Sequence, residues 1–261
     1  MLNRIALGVL AVCFAAALPP TFASGEATKP VDTVPAIDMP IAVEEVNTVQ
    51  PEPSVGSKID VATAVEAGLS ADVFQLALAA TSCAVASDAI DAPPTLTVID
   101  YSRPSVEPRL WVFDLATGEL LFKELVAHGR NTGDNYATKF SNQMDSRQTS
   151  IGLFVTDDTY VGSNGYSLRL DGLDAGFNDR ARDRAIVMHG APYVNAKLAS
   201  TQGRLGRSWG CPALREAIAR DVIDTIRGGG VIFSYYPDER WLTTSRFLND
   251  CSTTTRVLAT S

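Results

Sequence analysis

The hydrophobic period of the chain changes at Pro93-Pro94. Upstream, Val73, Phe74, Ala77, Leu78 and Thr81 recur on one helical face behind Ser70, a residue suited to an N-cap. This predicts a helix that carries Cys83. Downstream the apolar runs shorten and become β-branched, at 96–100, 109–114, 120–127, 150–156, 166–170, 184–188 and 231–236. Thr117-Gly118 marks a hairpin turn between the second and third runs. One long helical stripe returns at 213–227, where Leu214, Ala217, Ile218, Val222 and Ile226 share a face, and Gly228-Gly229-Gly230 stops it. The pattern predicts a mainly β, mostly antiparallel domain at 95–240. A helical segment at 59–94 precedes it and a tail at 241–261 follows.

The first residues change the picture of where this domain works. Arg4 precedes an apolar stretch at 5–18, Pro19-Pro20 breaks it, and Thr21-Phe22-Ala23 has the small-x-small form of an export cleavage site. Residues 1–23 are therefore expected to be a signal peptide; the alternative is an uncleaved anchor. The stretch is shorter than the roughly 20 residues that span a bilayer. Residues 24–58 scatter Pro30, Pro35, Pro40, Pro51 and Pro53 among acidic and small residues and read as an unfolded tether or a dispensable leader. Residues 26–100 carry twelve acidic and two basic side chains, whereas 101–261 carry eighteen and nineteen. The acidity belongs to the extension, and no basic face for nucleic acid exists.

Removal of residues 1–23 takes Cys13 and leaves Cys83, Cys211 and Cys251. An odd count in an oxidising compartment leaves one thiol over if the others pair. Cys211 lies in the glycine-hinged Gly206-Arg207-Ser208-Trp209-Gly210-Cys211-Pro212 segment, so Cys83 and Cys251 form the disulfide candidate, against the alternative of two unpaired buried thiols. A thiol attacks as thiolate, and an imidazole beside it takes its proton. His189 ends the run Ile186-Val187-Met188 and precedes Gly190, whose carbonyl is placed to orient the ring; the alternative is a structural hydrogen-bonder. If the long helix began at Pro212, its N-terminus would favour the thiolate. The amides of Gly210 and Cys211 are then candidates for an oxyanion site, with Ser208 and Trp209 shaping the turn. His128, before Gly129, either contacts substrate or His189 or caps a hairpin. His128, His189 and Cys211 lack the close ligand spacing of a zinc site. Arg180, Arg182 and Arg184 flank the approach to His189. Arg207 and Arg204, then Arg169, are candidates to hold a substrate carboxylate, and Tyr166 to wall the cleft.

The pairing of Ile186-Val187-Met188-His189-Gly190 with Ser208-Trp209-Gly210-Cys211 resembles the L,D-transpeptidase catalytic domain (YkuD-like). It is most similar to the divergent murein L,D-transpeptidase branch. Leu110 to Leu115, His128-Gly129-Arg130-Asn131-Thr132-Gly133, Tyr166 to Gly172, Gly176-Phe177-Asn178 and Gly203 to Ser208 also carry the resemblance. Trp209 stands where the better-studied branch often has histidine, and Arg215 comes only four positions after the cysteine. The resemblance implies a β-sandwich or barrel-like domain with a helix after the cysteine and an N-terminal helix packed on it. It implies a periplasmic enzyme needing no cofactor. Cys211 would acylate on a peptidoglycan stem peptide with His189 as base, and carbapenems would acylate the same thiol. Water as acceptor would make it an L,D-carboxypeptidase. A catalytically weak wall-binding module is the third alternative.

Overall fold

The computed structural model describes residues 60–251; the expected signal peptide and tether lie outside the described residues. Two helices lead, α1 (Val61–Glu66) and α2 (Ala71–Ala86). Asp60 caps α1 through its side chain, whereas Ser70 occupies the N-cap of α2 without a side-chain cap bond. Eight strands follow: β1 (Thr95–Asp100), β2 (Leu110–Asp114), β3 (Leu120–Glu124), β4 (Gly152–Gly162), β5 (Gly165–Gly172), β6 (Val187–Gly190), β7 (Ala213–Leu214) and β8 (Val231–Tyr235). Helix α3 (Ala196–Gln202) lies between β6 and β7, α4 (Glu216–Ile226) between β7 and β8, and α5 (Glu239–Thr244) after β8.

All eight strands form one sheet in the order β3-β2-β1-β8-β4-β5-β6-β7. The β1–β8 and β6–β7 pairs are parallel; the others are antiparallel. Past β3, Ala127 bridges Ala213 of β7, with the Ala127 amide 2.8 Å from the Ala213 carbonyl. This bridge links the two ends of the sheet and curls it into a nearly closed barrel.

Both faces of the sheet are covered, which explains why β1 is buried along its whole length. Leu96 and Val98 join Trp111, Phe113, Leu153, Val231 and Phe233 under α2. Ile99, Leu110, Val112, Phe154, Leu168 and Met188 face α4 instead, which inserts Ala219, Val222, Ile223 and Ile226. Each large aliphatic side chain buried this way contributes about 1.5–3 kcal/mol. Trp241 and Phe247 are buried in the α2 layer, so the tail packs onto the domain at least as far as Cys251.

Two boundaries differ from the sequence expectation, and both matter for the site. The long helix begins at Glu216 rather than at Pro212-Ala213, because Ala213 and Leu214 pair as β7 with His189 and Gly190. Their apolar side chains continue the helical period of α4, so periodicity alone assigns them to the helix. Strand β6 starts at Val187 rather than at Arg184, because Ala185 adopts a left-handed backbone (φ 52°) that breaks the extended run.

Cys83 at the end of α2 and Cys251 form a disulfide with Cα atoms 5.6 Å apart, across a sequence separation of 168. It ties the N-terminal helices to the C-terminal end of the domain. Closing so long a loop restricts the unfolded chain, so a Cys83→Ala, Cys251→Ala variant is expected to lose about 2–4 kcal/mol. Guanidinium unfolding of parent and variant measures this, and coincident midpoints would show that the bridge adds no stability.

Candidate active site

The site grows out of the β6–β7 pairing. His189 is opposite Ala213 in parallel register, which places Cys211, two residues upstream on β7's approach, against the same edge. His189 and Cys211 then line one cleft with Tyr193, Arg207, Ser208, Trp209 and the β4–β5 turn residues Ser163 and Asn164. Cys211 is the free cysteine among the described residues. It keeps 8% of its surface exposed and His189 keeps 4%, so a substrate reaches either group only through this cleft.

Two glycines make the approach possible. A Cβ on Gly190 would stand 2.9 Å from the Ala219 Cβ of α4, so glycine lets the helix press directly on the strand end. Gly210 has φ 132°, a conformation L side chains rarely adopt, and a Cβ there would meet the Gln148 carbonyl oxygen at 2.9 Å and Ile186 Cδ1 at 3.0 Å. Ser208 closes the turn between them: its hydroxyl donates to the Cys211 carbonyl at 2.6 Å and accepts from the Gly210 amide at 3.0 Å. The Gly210 amide is therefore committed to the turn, which removes it from the expected oxyanion donors.

The imidazole and the thiol are each oriented by backbone. His189 Nδ1 lies 2.9 Å from the Gly190 carbonyl oxygen, which assigns the proton to Nδ1 and leaves Nε2 as the basic nitrogen. Burial lowers its pKa below the ordinary histidine value; the Gly190 bond opposes this. The Cys211 thiol donates to the Ala185 carbonyl at 3.7 Å and makes no hydrogen bond to His189 among the described residues. Burial raises its pKa, against the Val187 amide and the Arg184 guanidinium, which favour thiolate. The resting pair is a neutral thiol beside a neutral imidazole. The expected field of a helix N-terminus at sulfur is absent, because α4 begins five residues after Cys211.

The other predicted residues divide. Arg207 lines the cleft, but its NH1 donates to the Gly133 carbonyl and to Asp134 at 2.8 Å each, the carboxylate that Arg204 also approaches. Trp209 stands at the rim, 69% exposed, under the Arg147 guanidinium at 4.7 Å. Arg204 reaches toward Asp134 and the Leu205 carbonyl instead of the cleft. Arg169 stacks on Tyr160 at 4.3 Å. Tyr166 bonds Asp224 and lies under Arg220, on the α4 side of β5, because strand alternation sends it opposite to Ser167, the partner of His189. Thr149, Tyr193 and the Ser163-Asn164 turn were not legible as site residues. Thr149 Oγ1 accepts from the Gly129 amide at 2.9 Å and donates to the Gly210 carbonyl at 3.0 Å, stitching three separate segments.

His128 does not line the cleft with His189. It is buried, with Nδ1 2.8 Å from Arg109 NH2 and Nε2 3.3 Å from the Gly133 carbonyl oxygen. Arg109 can only donate, so Nδ1 accepts and Nε2 carries the proton. Arg109 is itself fully buried, with further bonds to the Val126 and Arg103 carbonyls. Burial, then the Arg109 charge, lowers the His128 pKa to about 4. A folded-state pKa below the unfolded value means that this contribution to stability is intact above the unfolded pKa near 6.5. It is lost as pH falls from there toward 4. Stability is expected to drop by about 2–3 kcal/mol over that window from this group alone. The drop should flatten in His128→Asn, whose side-chain oxygen still accepts from Arg109. Denaturant unfolding at stepped pH tests this, and equal slopes for parent and variant would refute it.

The chain is similar to several solved structures. An L,D-transpeptidase from Mycobacterium smegmatis is 18% identical, with 56% of this chain and 60% of that chain covered and a TM-score of 0.35. An L,D-transpeptidase from Stackebrandtia nassauensis is 12% identical, with 70% and 78% covered and a TM-score of 0.34. An L,D-transpeptidase solved in complex with imipenem is 18% identical, with 54% and 59% covered and a TM-score of 0.33. The chain thus spans about six-tenths of the length of the first and third of these. No curated protein matches. A family model described as the L,D-transpeptidase catalytic domain matches residues 65–235, from the end of α1 through β8, and so takes in the whole sheet and both halves of the cleft. The chain belongs to the L,D-transpeptidase catalytic domain family.

Proposed function

We propose that this protein is a cysteine acyltransferase that cross-links peptidoglycan stem peptides outside the cytoplasm. The observation that carries the reading is the shared cleft of Cys211, the free thiol, and His189, whose Nδ1 is committed to Gly190 and whose Nε2 remains basic. Among the described residues no helix is long and apolar enough to cross a membrane. An exported, periplasmic domain released from residues 1–23 is part of the same proposal.

The chemistry follows from two neutral partners. The thiol turns from the Ala185 carbonyl into the cleft and gives its proton to His189 Nε2 as sulfur attacks the carbonyl carbon of the third stem residue. The Cys211 amide is the remaining backbone candidate for the oxyanion. Collapse of the tetrahedral adduct breaks the C–N bond, and His189 returns the proton to the leaving D-amino acid. The acceptor amine of a second stem then attacks the thioester and loses a proton to His189. Sulfur leaves as thiolate and recovers that proton. Arg207 lines the cleft with its NH1 already paired to Asp134, so its other N–H groups are the candidates to hold a stem carboxylate.

Incubation with a disaccharide tetrapeptide, read by mass spectrometry, tests this. A cross-linked dimer is the expected product, and tripeptide alone would assign hydrolysis instead. Cys211→Ala should abolish product, and His189→Asn should lower kcat/KM by about 100- to 10,000-fold. An active Cys211→Ala protein would remove the nucleophile assignment. Imipenem is expected to add covalently at Cys211. Because attack needs a neutral His189, and burial lowers its pKa, the acid limb of kcat/KM should lie below the ordinary histidine value. A limb above that value would contradict His189 as the base.

A further inference from the structure

We infer that Arg184 is a positioning residue for Cys211: its guanidinium supplies the positive field that favours the thiolate and clamps the loop on which the nucleophile turn rests. The inference rests on Cys211 being the nucleophile and adds a cation to the Val187 amide among the groups that favour its thiolate. The helix N-terminus adds nothing there, because α4 starts too late.

The geometry starts at a half-buried side chain with no carboxylate bonded to it among the described residues. Arg184 NH1 donates to the Ser141 carbonyl at 2.6 Å and to Ser150 Oγ at 2.5 Å. Its NH2 donates to Ser146 Oγ at 3.0 Å and to the Gln148 carbonyl at 2.7 Å. All four acceptors are neutral, so the group is fixed in place and its charge is left intact. An acidic partner would have held it equally well and cancelled its field at sulfur.

The same bonds reach the nucleophile from two directions. On the loop side, the Gln148 carbonyl that receives Arg184 is the atom a Gly210 Cβ would strike, and the adjoining Thr149 donates to the Gly210 carbonyl. On the strand side, the next residue, Ala185, is held in a left-handed backbone that costs a non-glycine residue about 1–2 kcal/mol. That conformation accompanies the aim of its carbonyl at the Cys211 thiol. Arg184 thus sits where the loop and the start of β6 converge on sulfur. Electrostatic coupling runs both ways: Arg184 favours the Cys211 thiolate, and the sulfur charge favours the protonated guanidinium.

Other groups face the same sulfur. Tyr101, beyond β1, and Tyr193, after β6, both couple to it, but burial keeps the two phenols protonated, Tyr193 up to about 12. His189 and Arg207 share the cleft, and His189 is neutral at rest. Arg180 couples to Arg184 itself. Of these, Arg184 is the cation that acts on the resting thiol.

The test is the pH dependence of iodoacetamide alkylation at Cys211, followed by peptide mass spectrometry on the full chain. It needs no substrate. Arg184→Gln is expected to raise the midpoint by about one unit and to slow alkylation near neutral pH about tenfold. Arg184→Lys, which keeps the charge and loses the fork, should stay nearer the parent midpoint than Arg184→Gln. If Arg184→Gln does not fold, Ser146→Asp decides the question: it sets a carboxylate beside an intact guanidinium on a half-buried loop position and should raise the midpoint likewise. A folded Arg184→Gln protein, or a Ser146→Asp protein, titrating at the parent midpoint would overturn the inference. So would a Lys variant shifted as far as Gln, which would mark the role as a clamp without charge. A parent whose Cys211 reacts at no pH would sink the nucleophile reading itself, and a reactive parent with unmoved variants would sink only the role of Arg184.

Discussion

Ala213 hydrogen-bonds on both sides at once. Toward β6 it and Leu214 take the parallel register of His189 and Gly190, and toward the chain beyond β3 Ala213 bridges Ala127. Their two flanks bring together three stretches of chain that are far apart in sequence. Without the pairing to β6, Cys211 has no fixed relation to His189. Without the bridge to Ala127, the segment from His128 to Gly133 would not back the turn that Ser208 forms, where the Ser208 amide donates to the His128 carbonyl at 3.0 Å. A two-residue strand is weak as a secondary element. It holds here because the sheet it closes is covered on one face by α2 and on the other by α4.

The electrostatics of the site follow from that closure. Curling the sheet buries the thiol and the imidazole, and burial pushes both toward their neutral forms. Two arginines sit in the same enclosed region with neutral acceptors, and their work differs. Arg109 is locked under His128 and the Val126 carbonyl and holds a neutral histidine behind the site. Arg184 faces the loop beside sulfur and leaves its charge available there. Burial holds the cysteine toward its neutral form, and the Val187 amide and then the Arg184 guanidinium oppose it in part.

Much of the sheet was legible because strands covered on both faces read as dense β-branched and aromatic runs. Residues 96–100 and 231–236 fall within a residue of β1 and β8. Cys211 and His189 stood out because each lies in a glycine-hinged segment of a chain with four cysteines and two histidines. The boundaries nearest the chemistry were not. Ala213-Leu214 continue the period of α4, and the run at 184–188 looks extended until Ala185 turns left-handed. Thr149, on an unremarkable loop, matters only through contacts with Gly129 and Gly210.

Residue chemistry and local period, which act over a few neighbours, determined by sequence alone that this is a mainly β domain, with helix α2 before the sheet and helix α4 after the cysteine. They also singled out a thiol and an imidazole, which the structure brings to one cleft. Tertiary structure decided which arginine faces the sulfur, that His128 supports the site from behind while His189 enters the cleft, and that the helix dipole is out of reach of Cys211. Those outcomes depend on burial and on hydrogen bonds between segments distant in the chain, and neither is carried by the spacing of residues along it.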